Sequence, residues 1–234
     1  MLGRLDAAFA TQRRFAADAS HELRTPLALL RAQLDETLDD PRSGEAEFRA
    51  MSARALTALE RIEAIIEGLL TLARSERPPE RRYPADLAEL VEANLDPLRD
   101  DIARRELTVS LDLQTAPTSG APILLERAVA NLLANAVLYN RPRGDLAVST
   151  ERVDGRARLC VANSGDIITD DDAARLFEPF YRLDASRARA TGGVGLGLSI
   201  VGAIIAAHGG VAEASPRSGG GLVVNVLLPA ATGA

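Results

Sequence analysis

Apolar residues recur at steps of four or three between residues 45 and 74. They are Met51, Ala55, Leu59, Ile62, Ile66, Leu69 and Ala73. This spacing aligns them along one seam of an α-helix and is typical of helices that pack side by side in a coiled coil. A helix with so long a seam has to bury it against other helices. The first constraint on the fold is therefore a helical bundle.

A second long helix is predicted upstream, from residue 2 to 38, and residues 39–44 then read as a turn. Helical projection places one apolar stripe opposite His21, and the stripe consists of Leu23, Leu27, Leu30 and Leu34. The resulting antiparallel hairpin cannot cover all of its own apolar surface, so a second copy would complete a four-helix bundle. We expect a homodimer through residues 1–75, the alternative being a monomeric hairpin packed on the rest of the chain.

Prolines and arginines over residues 76–84 indicate a hinge before a second domain at 85–234. In this domain, predicted helices at 86–105, 123–139 and 196–208 are interspersed with predicted strands at 107–113, 146–153, 156–162 and 222–228. Asp86 is suited to cap the first of these helices. Paired strands with helices between them predict a mixed sheet covered on one face by helices. The whole chain is thus an α+β protein, a hairpin followed by a two-layer α/β sandwich.

Composition excludes several classes of function. A formal net charge of -6 gives no support to nucleic-acid binding, and aromatic residues at 3% leave little for base stacking. The single cysteine, Cys160, excludes an internal disulfide and suits a reducing cytosol. The longest apolar run, 196–207, is too short and too interrupted by glycine to cross a bilayer. We therefore expect no nucleic-acid partner and no membrane contact from this chain itself.

The segment SHELRTPL around His21 indicates chemistry. Neutral imidazole has a lone pair on one ring nitrogen and a proton on the other, so a carboxylate that holds the protonated nitrogen leaves the other free to attack. Glu22 is placed to be that carboxylate, and Thr25 lies one helical turn beyond His21. Taken alone, an exposed His-Glu pair is more often an ordinary solvated surface. His208, at the end of an apolar helix, reads as structural, a cation or donor near a helix C-terminus.

Four further motifs lie in the second domain. NLLANAVLY presents Asn131 and Asn135 on one helix face with Tyr139 at its end. NSGDII and LFEPFYR follow, at 163–168 and 176–182. TGGVGLGLSIV, at 191–201, alternates glycines before an apolar helix, which lets backbone amides approach phosphates at the positive helix end. That glycine pattern is found in dinucleotide sites too, but the strand those sites require immediately before it is missing.

The order of these motifs resembles that of sensor histidine kinases of two-component systems, over about residues 15–229. The resemblance implies the nucleotide-binding fold shared with gyrase, the large heat-shock ATPases and mismatch-repair ATPases. It implies ATP- and Mg²⁺-dependent phosphorylation of His21 and transfer to an aspartate of a response regulator. It also implies a transmembrane sensor upstream, so that this chain would be the cytoplasmic part of a membrane-anchored protein.

The same resemblance assigns site residues. Asn135 would bind the Mg²⁺ that bridges the ATP phosphates, Asn163 would read adenine, and Thr25 would orient water for the reverse dephosphorylation. Arg182 and Arg187 lie in a polar stretch that reads as a mobile lid, and they would bind the terminal phosphates. The catalytic residues implied are His21, Glu22 and Thr25, and the nucleotide-binding residues are Asn131, Asn135, Tyr139, Asn163, Gly165, Arg182, Arg187, Gly193, Gly195 and Gly197.

Three positions depart from the family pattern. Asn163 replaces the usual adenine-reading aspartate, Ile167 the second glycine of that loop, and Leu138 a basic residue. An asparagine can offer its oxygen as an acceptor or turn its amide outward as a donor, which predicts softer selectivity for adenine. Two alternatives stay open: a catalytically weak or inactive dimeric scaffold, and a hydrolytic ATPase of the same fold. The related hydrolytic enzymes have a water-activating glutamate where this chain has Asn131.

Overall fold

The computed structural model describes residues 2–40, 44–75, 77–183 and 194–231, with side chains in the first helix from residue 15 onward. The predicted site residues Arg187 and Gly193 lie outside the described residues, as does Glu76 of the predicted hinge. Described residues up to 70 form one compact unit, and residues 71–183 and 195–231 form a second. No described helix is both long enough and apolar enough to cross a membrane.

Two long helices build the first unit, α1 (Leu2–Asp39) and most of α2 (Glu45–Ser75). They run antiparallel, since Glu22 near the middle of α1 pairs with Arg61 of α2 at 3.4 Å, while Gln33 shares a groove with Arg54. Pro26 is buried inside α1 and has no N–H to donate to the carbonyl of Glu22, yet the helix continues through it. The predicted helical hairpin is confirmed.

The hairpin buries only part of the predicted stripes. Buried positions include Ala19 and Thr37 of α1 and Met51 and Ile65 of α2, whereas side chains predicted to be covered remain exposed: Leu27 is 51% exposed, Leu59 45% and Ile66 44%. The hairpin alone thus leaves part of each predicted stripe uncovered, in line with the expectation that it cannot cover all of its own apolar surface. The apolar residues of each helix occupy two adjacent seams, and the neighbouring helix within the hairpin covers only one of them.

The second unit contains a five-stranded sheet with the order β2-β4-β5-β7-β6. Its strands are β2 (Thr108–Leu113), β4 (Asp145–Val153), β5 (Arg156–Asn163), β6 (Val211–Pro216) and β7 (Leu222–Pro229). β2 pairs parallel to β4 and the other neighbours are antiparallel, which confirms the predicted mixed sheet. A separate antiparallel pair joins β1 (Tyr83–Asp86) to β3 (Pro117–Gly120), so the last two residues of the predicted hinge lie in a strand.

Helices cover one face of this sheet. They include α3 (Leu87–Leu95), α5 (Pro122–Leu138), α6 (Asp170–Arg175) and α7 (Gly197–Ala207), and a short helix α4 (Arg99–Arg104) follows α3 in the chain. Alternate residues of the central strands are buried beneath them, which is the pattern of a sheet with one covered face. The core includes Leu133, Leu146, Val148, Leu159, Val161, Ile204, Val226 and Leu228.

One predicted helix is divided in two. The predicted helix over 86–105 is interrupted by a short 3₁₀ turn at Asp96–Leu98, because Pro97 has no N–H for the α-helical ladder. Its start agrees with the prediction, since the Asp86 carboxylate accepts from the amide of Ala88 at 2.9 Å. The same carboxylate accepts from the amide of Ala116 at 3.1 Å and so links the helix start to the segment before β3.

Candidate functional site

Helix α5 supplies the two asparagines of the predicted nucleotide site. Both are half-buried, and the opposite face of the helix, with Leu132 and Leu133, belongs to the core. The Asn131 side chain donates to the carbonyl of Arg127 at 2.9 Å. Tyr139 caps the end of α5 and is half-exposed; burial raises the pKa of its phenol, and the nearby positive charge of Arg182 acts in the opposite direction.

The glycine motif lies directly against this helix. Gly197, the first residue of α7, faces the side chain of Asn135: a Cβ at position 197 would lie 2.7 Å from Nδ2 and 3.0 Å from Oδ1 of Asn135. No larger residue fits there without moving the asparagine. The predicted Mg²⁺ ligand is thus held in place by a residue far along the chain.

Gly195 joins the glycine motif to LFEPFYR. It has a φ of +80°, which favours glycine, and a Cβ there would lie 3.0 Å from Cγ of Arg182. Its carbonyl accepts from the amide of Phe180 at 2.9 Å. Three motifs that are separate in the sequence therefore meet in space, namely the asparagine helix, LFEPFYR and the glycines.

The NSGDII loop packs against the C-terminal end of α5. Asn163 ends β5 and is buried; its Nδ2 donates to the carbonyl of Ser164 at 2.8 Å. Gly165 lies beside the carbonyl of Tyr139, and a Cβ at position 165 would approach that oxygen to 2.9 Å. Ile167, at the position of the family's second glycine, is exposed. The loop therefore brings Asn163 and Gly165 next to Tyr139.

The hairpin holds the other predicted residues. His21 is exposed on α1, and the Thr25 hydroxyl donates to the carbonyl of His21 at 3.1 Å. Glu22 accepts from Nη2 of Arg61 at 3.4 Å across the hairpin. Sequence reasoning missed Arg61, because nothing local in α2 distinguishes this arginine from the others on that helix. The role of Glu22 as partner of the imidazole stays a prediction.

The residues of the second unit fit a magnesium nucleotide. Asn135 offers an amide oxygen, a hard ligand of the kind that Mg²⁺ takes while keeping several waters. Among the described residues no group of three or more His, Cys, Asp or Glu side chains is arranged to hold a metal. Asn135 is the residue that would hold a Mg²⁺ ion in this site.

Comparison with known proteins agrees with this class of fold and site. Residues 120–232 match the family "Histidine kinase-, DNA gyrase B-, and HSP90-like ATPase", and residues 11–78 match "His Kinase A (phospho-acceptor) domain". Sensor protein CutS of Streptomyces coelicolor is 43% identical over 230 residues, covering 98% of this chain and 55% of the relative. The histidine kinase BaeS of Escherichia coli is 36% identical over 222 residues, 93% of this chain and 47% of the relative.

A solved structure also matches most of the chain. The histidine kinase AdeS of Acinetobacter baumannii aligns with a TM-score of 0.72 at 27% identity, covering 91% of this chain and 98% of that one. The fold and site therefore define a helical hairpin that is followed in the chain by an ATPase domain of the histidine kinase and gyrase type. The chain belongs to the sensor histidine kinases of two-component systems. It spans about half the length of the curated relatives it matches.

The second histidine, His208, is structural and neutral. It is fully buried at the end of α7, where Nδ1–H donates to the carbonyl of Ile204 at 2.7 Å and Nε2 accepts from the amide of Ala121 at 3.0 Å. Burial lowers the pKa of the ring. The predicted role of His208 as a donor near the helix end agrees with these bonds. The predicted alternative, a cation, does not agree, because protonation of Nε2 would remove the acceptor for the amide of Ala121.

His208 should make stability depend on pH. Between its ordinary pKa of 6.5 and the lower folded pKa, the unfolded chain binds the extra proton, so the free energy of unfolding falls as pH falls through this window. We expect His208→Gln to lower the free energy of unfolding at pH 7.5 by about 2 kcal/mol and to remove this part of its pH dependence. Urea titrations at pH 7.5 and 5.5 measure both effects, with His21→Gln as the matched control. An equally steep pH dependence in the His208 variant would contradict the assignment.

Proposed function

We propose that this chain is a protein histidine kinase that phosphorylates His21 with ATP. The observation that carries the proposal is the convergence of Asn135, Gly197 and Arg182 on one site, in a chain that also exposes a histidine on a phosphoacceptor hairpin. The imidazole nitrogen forms a bond to the terminal phosphorus as the bond to the bridging oxygen breaks, and ADP leaves with that electron pair. Catalysis is mainly positioning and charge stabilisation.

Each residue of the site has a place in this proposal. Asn135 would hold Mg²⁺, which when bound would neutralise charge on the phosphates. Arg182 supports the phosphates together with Arg187, and backbone amides of the glycine motif approach them at the start of α7. Asn131 and Tyr139 line the pocket. Glu22 orients the imidazole of His21. The assignments to Arg187 and Gly193 follow from the sequence alone.

We propose an aspartate of a response regulator as the next acceptor. A phosphorylated imidazole is a reactive donor, and the exposed faces of α1 around His21 offer a docking surface. The histidine kinase ThkA has been solved in complex with the response regulator protein TrrA, and its fold is similar to this one, with a TM-score of 0.71 at 20% identity. We also propose a cytoplasmic location linked to a membrane-anchored sensor, since the curated relatives are sensor proteins.

The proposed active form is a homodimer through the hairpin. Large apolar side chains remain exposed along a second seam of α2, at Leu56, Leu59, Ile66 and Leu70, and on α1 at Leu27 and Leu38. Exposed apolar surface of this extent is typical of an interface. A second hairpin that packs on this seam would complete a four-helix bundle.

Thr25 is proposed to assist the reverse dephosphorylation by orienting water. Its hydroxyl hydrogen is engaged with the carbonyl of His21, so its oxygen can accept from a water beside the imidazole. We expect Thr25→Ala to slow dephosphorylation of the phosphorylated regulator at least about tenfold. Thr57→Ala is the matched control, because the Thr57 hydroxyl makes the same local bond to Ala53 on α2. Dephosphorylation at the normal rate in the Thr25 variant would remove this role.

The kinase proposal is tested by incubation with Mg²⁺ and ATP labelled on the terminal phosphate. Protein-bound label should be stable to base and labile to acid, as a phosphoramidate is. Absence of label in a folded chain that binds ATP would favour the inactive scaffold, and release of labelled phosphate without protein-bound label would favour the hydrolytic ATPase.

A further inference from the structure

Ser164, the neighbour of Asn163, is bonded through every polar group it has. Its N–H donates to the carbonyl of Asp145 at 3.0 Å, and its carbonyl accepts from Nδ2 of Asn163 at 2.8 Å. Its hydroxyl oxygen accepts from the amide of Asp145 and from Nη1 of Arg217, each at 2.9 Å, and donates to Oδ2 of Asp145 at 3.2 Å. Ser164 is 1% exposed. This serine is therefore held rigidly from two other parts of the chain.

Arg217 completes the network from the turn between β6 and β7. Besides its bond to Ser164, its Nη2 lies 3.4 Å from Oδ2 of Asp145. The rest of that turn is seated on the NSGDII loop, because the amide of Gly221 donates to the carbonyl of Asp166 at 2.8 Å. A Cβ at position 221 would collide with the carbonyl oxygen of Asn163. The turn thus clamps the loop that carries Asn163.

The network around Ser164 fixes the orientation of the Asn163 side-chain amide. One of the two Nδ2 hydrogens is bonded to the fixed carbonyl of Ser164, and we assign the contact with a ligand to Oδ1, which can only accept. The residue paired with Asn163 on β7 is Leu222, whose side chain has no polar atom. An acceptor recognises the 6-amino group of adenine and disfavours the carbonyl oxygen at the same position of a 6-oxopurine. This argues against the softer adenine selectivity expected from the sequence.

We propose that Arg217 and Ser164 are positioning residues that select 6-amino over 6-oxo purine nucleotides through the orientation of Asn163. The proposal rests on the proposed function, since it takes nucleotide binding at this site as given. Neither residue touches the nucleotide in this scheme. Loss of either would free the Ser164 carbonyl to move, and the Asn163 amide could then turn so that its donor and acceptor exchange places.

The test compares ATP with inosine triphosphate, which carries a carbonyl in place of the 6-amino group. Dissociation constants for both, with Mg²⁺, are measured by calorimetry on the full chain as wild type, Arg217→Ala, Arg217→Lys and Ser164→Ala. Arg156→Ala is the control, because Arg156 is exposed at the opposite end of β5. Thermal melting confirms that each variant is folded.

We expect the wild type to prefer ATP by at least about tenfold. Arg217→Ala and Ser164→Ala should lose most of that preference through weaker ATP binding, with the affinity for inosine triphosphate changed by less than about twofold. Arg217→Lys should be intermediate, since an ammonium group cannot reproduce the paired guanidinium contacts. The control should keep the wild-type ratio.

Three outcomes would overturn the proposal. Equal losses of both affinities would mean that Arg217 and Ser164 only stabilise the fold. A wild type that binds both nucleotides equally would show that Asn163 does not present an acceptor. Absence of any nucleotide binding by the folded wild type would overturn the proposed function together with this inference, whereas binding without discrimination overturns the inference alone.

Discussion

Replacement of His21 by glutamine is expected to reduce protein-bound phosphate to below about 1% of the wild-type level, because the variant lacks the attacking nitrogen. The chain has one other histidine, and His208 is buried with both ring nitrogens hydrogen-bonded inside the second unit. It cannot replace His21 without unfolding its surroundings. ATP affinity should be unchanged in the variant, since His21 belongs to the hairpin unit.

The measurement is the acid-labile, base-stable label after incubation with ATP and Mg²⁺, together with the ATP dissociation constant. Arg31→Gln is a suitable control, because Arg31 is exposed on the same helix and its ion pair with Asp35, at 3.8 Å, is a solvated surface pair that contributes little. Label that persists in the His21 variant would place the phosphoacceptor elsewhere. Equal label in the wild type and the control, with none in the variant, would identify His21 as the acceptor.

Replacement of Asn135 by alanine is expected to have the second large effect, a loss of at least about 100-fold in phosphorylation rate. Removal of the amide oxygen takes away the one protein ligand proposed for Mg²⁺. The fold should survive, because the side chain is half-buried and alanine is the best helix former. Mg²⁺ should therefore strengthen ATP binding in the wild type and have little effect in the variant.

Calorimetry with Mg²⁺ and with a chelator tests this expectation. Asn94→Ala is the matched control, since Asn94 is also half-buried on a helix and donates to the carbonyl of Leu90 at 2.8 Å. Gly197→Ala gives a second approach: its added Cβ would displace the Asn135 side chain and weaken Mg²⁺-dependent binding about tenfold. A normal Mg²⁺ effect in Asn135→Ala would exclude the residue as the ligand.

Elements with strong periodicity and clear boundaries were predictable. The helix predicted at 123–139 is Pro122–Leu138, and the strands predicted at 146–153 and 156–162 are Asp145–Val153 and Arg156–Asn163. The short elements β1, β3 and α6 were not predicted, and neither was β6. Segments of four to six residues, as these are, show no more than one or two periods of any pattern, so contacts with distant parts of the chain decide their conformation.

Orientation was less predictable than element type. Both hairpin helices were expected, and Leu27, Leu59 and Ile66 of the predicted stripes are exposed in the single chain. Local periodicity shows that a helix has apolar seams and does not show which seam meets which neighbour. The break at Pro97 was recognisable in principle, because proline cannot donate in a helix interior.

The sequence by itself determined the class of the protein and the exposed histidine, and it predicts the nucleotide-site residues, because motif order and helical periodicity are properties of the linear chain. The tertiary structure alone decided the contact of Gly197 with Asn135, the pairing of Glu22 with Arg61 and the bond from the Asn163 amide to the carbonyl of Ser164. Each of these depends on groups brought together from different elements or on the rotation of one amide, and local sequence patterns contain no information on either.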